Sequence, residues 1–268
     1  MASERVRRTG LDVVGLAREK QVTTVAASLG YHAFNTLVPL ALFLVIGLSL
    51  FGGTDQAARV VESTTGVGST QVRSLVRSVV KTRTGRFRAA ALAFLILAWS
   101  AVRTFRATNG AFVSIYGTRE GTRWTERAVD IALATVTIPL ALVLVGVGGV
   151  AVTFAGDGFV WRIVSPFVLF AALVVAFLPM YYLFPAADVT VREVLPGATF
   201  AAAVWTLSGL FFRFYATISG SVHFYGVAGG LLLLLTWLYL GGLVVLVGAI
   251  VNAVLAGRTE PDEEWTLD

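Results

Sequence analysis

The sequence predicts an all-α, polytopic integral membrane protein: a bundle of about six transmembrane helices with an amphipathic helix between the first two. Of the 268 residues, 56% are hydrophobic and 14% are charged, and the mean hydropathy is +0.79, whereas soluble domains carry about 25% charged residues. Several apolar runs reach the ~20 residues that a helix needs to cross a hydrocarbon core of ~30 Å. Charged or Gly/Pro-containing joints separate these runs at regular intervals, so we expect one bundle.

The N-terminal segment, residues 1–24, is predicted to be a basic cytoplasmic segment. Its basic residues are Arg5, Arg7, Arg8, Arg18 and Lys20. Basic residues beside a span usually mark the cytoplasmic side and attract anionic lipid, so they do not indicate a nucleic-acid partner. The apolar run that follows is longer than the core of a signal peptide, about 7–15 residues, and we interpret it as a retained first span.

The transmembrane domain is predicted to cover residues 25–256. Its predicted spans are 25–51, 89–109, 129–154, 164–183, 194–216 and 225–255. Unpaired backbone groups are not tolerated in lipid, so runs of this length are expected to be helices. Ser165 followed by Pro166 predicts the start of the fourth span, because proline is well tolerated at the first helical position. The acidic segment 257–268 is predicted to be a disordered tail.

The loop 52–88 contains "QVRSLVRSVVKT", which predicts an amphipathic helix at about 71–82. Val and Leu recur at helical spacing opposite Arg73, Arg77 and Lys81. Such helices commonly lie on the bilayer surface, so these three residues are a candidate lipid or partner surface. A gate or a substrate funnel is the alternative interpretation.

Polar residues enter the apolar layer at the end of the second span. The run from Ala89 to Val102 is 14 residues long, or about 21 Å of helix, so the helix must continue through Arg103 to span. Arg103, Arg106 and Asn109 then share one face. Arginines within spans usually face a bundle interior or a wet cavity. The alternative is that their aliphatic stems lie in the hydrocarbon while the guanidinium groups reach the headgroups.

The first span carries its polar residues at a similar depth, in "GYHAFNTLVP" at residues 30–39. From an entry near Val25, His32 lies about 10 Å and Asn35 about 15 Å deep. Pro39 removes the N–H that would bond the Asn35 carbonyl. These groups could line a cavity with Arg103, or they could only join helices, since such hydrogen bonds contribute roughly 1 kcal/mol.

The distribution of basic residues predicts a multi-pass protein of the cell (inner) membrane with both termini in the cytoplasm. This orientation places twelve of the 21 Lys and Arg residues inside and nine outside. Seven of the nine belong to the loop 52–88. The first helix usually dominates orientation, and its flank is basic.

Four segments together resemble the YihY/BrkB (UPF0761-like) family of inner-membrane proteins over residues 22–256. They are "AASLGYHAFNTLVPLALFLVIGLSLFG", "WSAVRTFRATNGAFVSIYG", "LPGATFAAAVWTLSGLFFRFYATIS" and "HFYGVAGGLLLLLTWLYLGGLVVLVGAIVNAV". The resemblance implies a six-helix integral membrane protein, of a type often labelled a virulence factor and once labelled ribonuclease BN.

The residues do not support the ribonuclease label, and we predict neither an enzyme nor a cofactor. Metal-dependent phosphodiester cleavage needs carboxylates or histidines clustered around ions. The two histidines, His32 and His223, are predicted on opposite sides of the membrane, and the acidic residues outside the tail are scattered. Cysteine is absent, so thiolate metal sites and disulfides are excluded.

We therefore expect a transporter- or channel-like protein with a cytoplasm-facing polar cavity. Two arginines in a confined site would favour an anionic solute or a lipid headgroup. The predicted cavity residues are His32, Asn35, Arg103, Arg106 and Asn109, with Asp130 as a counter-charge and Tyr225 and Trp237 closing the cavity. The competing hypothesis is a non-catalytic structural or assembly protein of the envelope, in which the polar groups only pack helices and the basic loop binds lipid or a partner.

Overall fold

The computed structural model describes residues 2–51, 83–118, 159–185, 187–218 and 226–258. Every regular element in these ranges is an α-helix, which confirms the predicted fold class. The helices are α1 (Ala2–Glu19), α2 (Val22–Phe51), α3 (Arg83–Tyr116), α4 (Phe159–Leu183), α5 (Val191–Ile218) and α6 (Gly226–Leu255). The predicted span 129–154, the amphipathic helix at 71–82 and residues 259–268 of the tail lie outside the described residues.

The N-terminal segment, for which the sequence predicts only a basic stretch, forms the 18-residue helix α1. Its half-buried side chains recur at helical spacing and include Val13, Leu16 and Ala17. Packing of this face stabilises a helix that the mixed composition of the segment does not predict. Gln21, with a φ of 47°, ends α1 and redirects the chain. Its carbonyl accepts the first backbone bonds of α2.

Helices α2 and α3 both extend beyond their predicted bounds. α3 has 34 residues, so the prediction that the second span continues through Arg103 is confirmed. α2 has 30 residues and continues past Pro39, which is buried inside the helix. The missing N–H therefore does not end α2, as expected where neighbouring helices support the backbone.

The predicted helix start at Ser165 and Pro166 is wrong, although the candidate span Val164–Leu183 matches the predicted span 164–183. α4 begins at Phe159, so Pro166 lies inside the helix, as does Pro179. The chain becomes apolar at Phe159, directly after Gly-Asp-Gly at 156–158. A helix that must pair its backbone groups in lipid begins where the apolar run begins, and it keeps a proline that a soluble helix would not.

Within the described part of the chain, four helical stretches are long and apolar enough to cross a membrane. They are Ala90–Tyr116, Val164–Leu183, Val191–Phe211 and Leu231–Leu255, which correspond to the second, fourth, fifth and sixth predicted spans. Large apolar side chains such as Trp99, Phe167 and Phe211 are exposed on them. Exposed apolar surface of this extent is typical of helices that face lipid.

The chain divides into two compact units. The larger unit comprises Met1–Ser28, Phe105–Gly220 and Tyr239–Asp268, and the smaller unit comprises Leu29–Thr104 and Ser221–Leu238. The core of the larger unit is aromatic. The ring of Phe112 lies 5.7 Å from that of Tyr181 and 5.4 Å from that of Phe184, between centroids.

Four helix ends meet at one end of the larger unit. Thr118 Oγ1, just after α3, donates to the carbonyl of Pro185 at 2.9 Å. Arg258, just after α6, donates to the carbonyl of Asp188 at 2.7 Å and pairs with Glu193 in α5 at 3.1 Å.

Candidate functional site

Three hydroxyl side chains, which we call the hydroxyl cluster, join α2 and α3 in the smaller unit. Thr36 Oγ1 lies 2.8 Å from Ser100 Oγ and 3.1 Å from Thr104 Oγ1. The same Thr36 hydroxyl donates to the carbonyl of His32 at 2.9 Å. Because a hydroxyl has one proton, Ser100 and Thr104 then donate to Thr36. All three residues are only half-buried.

The local sequence of α2 explains why the cluster forms at this level. Pro39 follows Thr36 by three residues and leaves the Asn35 carbonyl without its usual N–H partner. Thr36 bonds back to its own helix in the same turn, an arrangement that tends to bend helices. The cluster therefore lies in the turn of α2 that precedes Pro39.

The two α2 residues predicted to line the cavity are placed differently from Thr36. His32 is half-buried, and its ring lies 5.9 Å from that of Tyr31. Asn35 is exposed. Polar side chains of α2 and α3 meet through Thr36, Ser100 and Thr104, none of which was among the predicted site residues.

The arginines of α3 lie on an exposed face of that helix. Arg103 and Arg106 are both exposed and continue a run of exposed apolar side chains, which we call the α3 stripe. Its members are Leu92, Leu95, Trp99, Val102, Arg103 and Arg106. Leu95 is 64% and Trp99 is 69% exposed. Two guanidinium groups therefore follow an apolar surface, and guanidinium groups bind phosphate and carboxylate in paired geometry.

Asn109 joins α3 to α4 in the larger unit. Its side-chain Nδ2 donates to the carbonyl of Phe184 at 3.0 Å, directly after α4 ends. Terminal carbonyls of a helix have no partner within the helix, so this bond caps α4. The half-buried Asn109 thus connects α3 to the end of α4.

The other predicted site residues fall in two groups. Trp237 is half-buried in α6. Asp130 and Tyr225, together with Arg73, Arg77 and Lys81 of the predicted surface helix, lie outside the described residues.

A second polar contact, in the larger unit, centres on Asn252. Its side chain is almost fully buried, with 1% exposed. The amide oxygen accepts the Gly197 N–H at 2.6 Å, and the amide nitrogen donates to the Val194 carbonyl at 3.1 Å. Pro196 lacks an N–H, and Asn252 bonds backbone groups on both sides of it. The carboxamide therefore connects α6 to the first two turns of α5.

The same two helices approach closely through glycines. A methyl group on Gly197 would collide with the carbonyl oxygen of Gly248, and one on Gly248 would collide with the hydroxyl of Tyr181. Tyr181 is fully buried and donates to the Val245 carbonyl at 2.8 Å. Small residues let helices pack at this distance in membranes. In this contact, the side chains of Asn252 and Tyr181 are buried and bond backbone groups.

Sequence reasoning missed Thr36, Ser100 and Thr104 because hydroxyl residues in spans are common and bond within their own helix. Tyr181 carries no sequence signal beyond an aromatic residue in an apolar run. In the part of the chain that the structure describes, no three His, Asp or Glu residues lie close enough to hold a metal ion.

Comparisons with known proteins agree with this architecture. The family model "Virulence factor BrkB" matches residues 13–266. The ribonuclease-like protein YfkH of Bacillus subtilis (strain 168) is 30% identical over 255 residues, covering 89% of this chain and 92% of YfkH. The UPF0761 membrane protein PSHAa0171 of Pseudoalteromonas translucida (strain TAC 125) is 27% identical over 270 residues, covering 93% and 87% of the two chains. No solved structure matches significantly. The chain belongs to the BrkB family of multi-pass membrane proteins.

Proposed function

We propose that this protein is a transporter-like membrane protein that binds an anionic amphiphile, a lipid with a phosphate-containing headgroup, at the arginine end of the α3 stripe. The observation that supports this proposal is the continuity of the stripe. Arg103 and Arg106 are exposed on the same face as Leu95 and Trp99. One face of one helix thus offers apolar surface for acyl chains and guanidinium groups for a headgroup.

The depth of the arginines suits this ligand. Arg103 and Arg106 directly follow the apolar run 89–102 of α3, which covers about 21 Å at ~1.5 Å per residue. Because a hydrocarbon core is ~30 Å thick, we expect both arginines a short way inside its edge. Arginine stems bridge such distances and deliver the guanidinium to the headgroup region. In the predicted orientation this is the cytoplasmic side.

A lipid ligand explains the exposure of the arginines better than a small solute does. An enclosed solute cavity would cover both guanidinium groups, because charge in a span is expensive unless it is paired or hydrated. The hydroxyl cluster flanks Arg103 on both sides in sequence, and its half-buried oxygens can receive headgroup hydrogen bonds. We therefore assign it a positioning role at the edge of the headgroup site.

No catalytic activity is proposed. The ribonuclease-like name belongs to the relative YfkH. Cleavage of RNA with metal ions needs clustered ligands, and the described residues hold no such group. The structural or assembly hypothesis stays the competing proposal, and it is supported by Asn109 and Asn252, whose side chains bond to backbone groups.

Thermal unfolding with short-chain lipids tests the proposal. The full-length protein in a neutral detergent is titrated with short-chain phosphatidylglycerol, with phosphatidylcholine of the same chain length, and with glycerol phosphate. We expect phosphatidylglycerol to raise the Tm most, since a ligand at 100 times its Kd stabilises by about 2.7 kcal/mol. The double variant R103Q/R106Q should lose most of this rise.

The variant R88Q is the matched control, because Arg88 is exposed on the same helix but lies before the apolar part of α3. It removes a charge of the same kind and should keep the full response. Equal stabilisation by glycerol phosphate would favour a small anionic solute over a lipid. A response that survives in R103Q/R106Q would refute the site and leave the structural hypothesis.

A further inference from the structure

The N-terminal helix α1 carries an exposed surface that the proposed lipid site on α3 does not use. The family model begins at residue 13, within α1. One face of α1 is packed, as its half-buried Val13, Leu16 and Ala17 show. The opposite face is exposed and holds Arg7, Leu11, Val14 and Arg18.

These four residues form a narrow stripe. At ~100° per residue they fall within an arc of about 60°. Leu11 is 60% and Val14 is 50% exposed. One arginine lies at each end of this apolar pair, Arg7 before it and Arg18 after it. The exposed acidic residues Glu4, Asp12 and Glu19 lie to one flank of the stripe, and Glu19 is paired with Lys20 at 3.2 Å.

In the predicted topology, in which α2 is the first span, the short connection between α1 and α2 places this stripe near the membrane surface. Only Lys20 and Gln21 separate α1 from α2, and the positive φ of Gln21 turns the chain between the two helices. α1 therefore does not continue α2, the predicted first span, as one straight helix. A helix with exposed apolar residues between basic ones, at this place, has the pattern of an interfacial helix.

We propose that α1 is a membrane-surface helix that binds anionic lipid through Arg7, Leu11, Val14 and Arg18. Leu11 and Val14 enter the boundary between headgroups and acyl chains, and the two arginines bind headgroup phosphates. Positive charge near an anionic surface contributes about 1 kcal/mol per residue. The inference is independent of the proposed lipid site on α3, since α1 shares no residue with that site.

Single-cysteine labelling tests this inference cleanly, because the chain contains no cysteine. The full-length variants L11C, V14C and D12C are labelled with an environment-sensitive fluorophore and placed in lipid nanodiscs, where both membrane faces are accessible. In nanodiscs with phosphatidylglycerol, the labels at 11 and 14 should shift to shorter wavelength and resist quenching by acrylamide. The label at 12 should stay accessible, because it lies on the flank of the same helix.

The arginines are tested in the L11C background. Replacing Arg7 and Arg18 by Gln should weaken docking by about fivefold per arginine, seen as a return of quenching at residue 11. Labels at 11 and 14 as accessible as the label at 12 would overturn the proposal. Equal protection in phosphatidylcholine nanodiscs and in detergent would also overturn it, since a protein surface would then cover the face.

Discussion

Two helix–helix contacts use polar side chains in opposite ways. In the larger unit, α5 and α6 meet through Gly197, Gly248 and a carboxamide of Asn252 that is almost fully buried. In the smaller unit, α2 and α3 meet through the hydroxyl cluster, whose members are half-buried. In the first contact the polar side chain is buried and hydrogen-bonded to backbone groups. In the second contact the polar side chains stay partly accessible.

This difference separates packing from candidate function. Buried polar groups must be paired, and Asn252 meets that requirement with two backbone bonds. The hydroxyl cluster and its neighbour Arg103 are not closed in this way. We therefore expect substitutions at the α5–α6 contact to lower stability, and substitutions on α2 and α3 to alter binding with small effects on stability.

The largest effect is expected for Gly197→Ala. The added methyl group meets the backbone carbonyl of Gly248, and backbone cannot move aside as a flexible side chain can. The free energy of unfolding should fall by about 3 kcal/mol or more, measured by thermal unfolding in detergent. Gly209→Ala on the same helix is the control, since a methyl group there meets no atom within 4 Å. Equal Tm values for the two variants would show that the close approach is absent.

The next largest effect is expected for Asn252→Ala. The change removes the two side-chain hydrogen bonds that Asn252 makes to α5, at a site that is almost fully buried. The loss of both bonds should lower the free energy of unfolding by about 1–3 kcal/mol in total. Asn35→Ala, at an exposed position in α2, should change it by less than about 0.5 kcal/mol. If both variants unfold alike, the contrast between the two contacts is wrong.

A smaller effect is expected for Thr36→Val, which keeps the shape and removes the central hydroxyl of the cluster. Ser100 and Thr104 can then bond within their own helix, so the loss should be about 1 kcal/mol. Thr236→Val is the control, because the exposed Thr236 bonds only the Leu232 carbonyl of α6. A loss of several kcal/mol at Thr36 would mean that the cluster is a buried structural contact like that of Asn252.

The smallest effect is expected at the ion pair between Arg258 and Glu193. Both side chains are about one-third exposed, and pairs of this kind contribute about 0–1 kcal/mol. A double-mutant cycle with R258Q and E193Q measures the coupling between the two groups. A coupling well above 1 kcal/mol would mean that this ion pair stabilises the fold as strongly as the buried contact at Asn252.

Much of the fold follows from lengths in the sequence. Lipid thickness sets the length of an apolar run, so the second, fourth, fifth and sixth spans are near their predicted positions. Pro166 misled the prediction because a membrane helix keeps prolines inside it. α1 was missed because its packed face is short and its composition is mixed with charge.

Counting residues predicts the level of the polar side chains along the helices, but it does not give their direction around the helix axis. Counting residues places Asn35, Thr36 and Arg103 at similar levels. Neighbouring residues on a helix point about 100° apart, so only packing decides whether Asn35 or Thr36 faces α3. The structure selects Thr36. Similarly, the exposure of Arg103 depends on how α3 is rotated, which no residue count determines.

The most direct test of the central claim, that Arg103 and Arg106 hold an anionic headgroup, is to weigh the lipids that stay bound. Native mass spectrometry of the protein released from mixed nanodiscs of phosphatidylglycerol and phosphatidylcholine gives their number and kind. We predict that the wild type and R88Q retain phosphatidylglycerol selectively and that R103Q/R106Q loses this selectivity. Unchanged retention of phosphatidylglycerol in R103Q/R106Q would contradict the account.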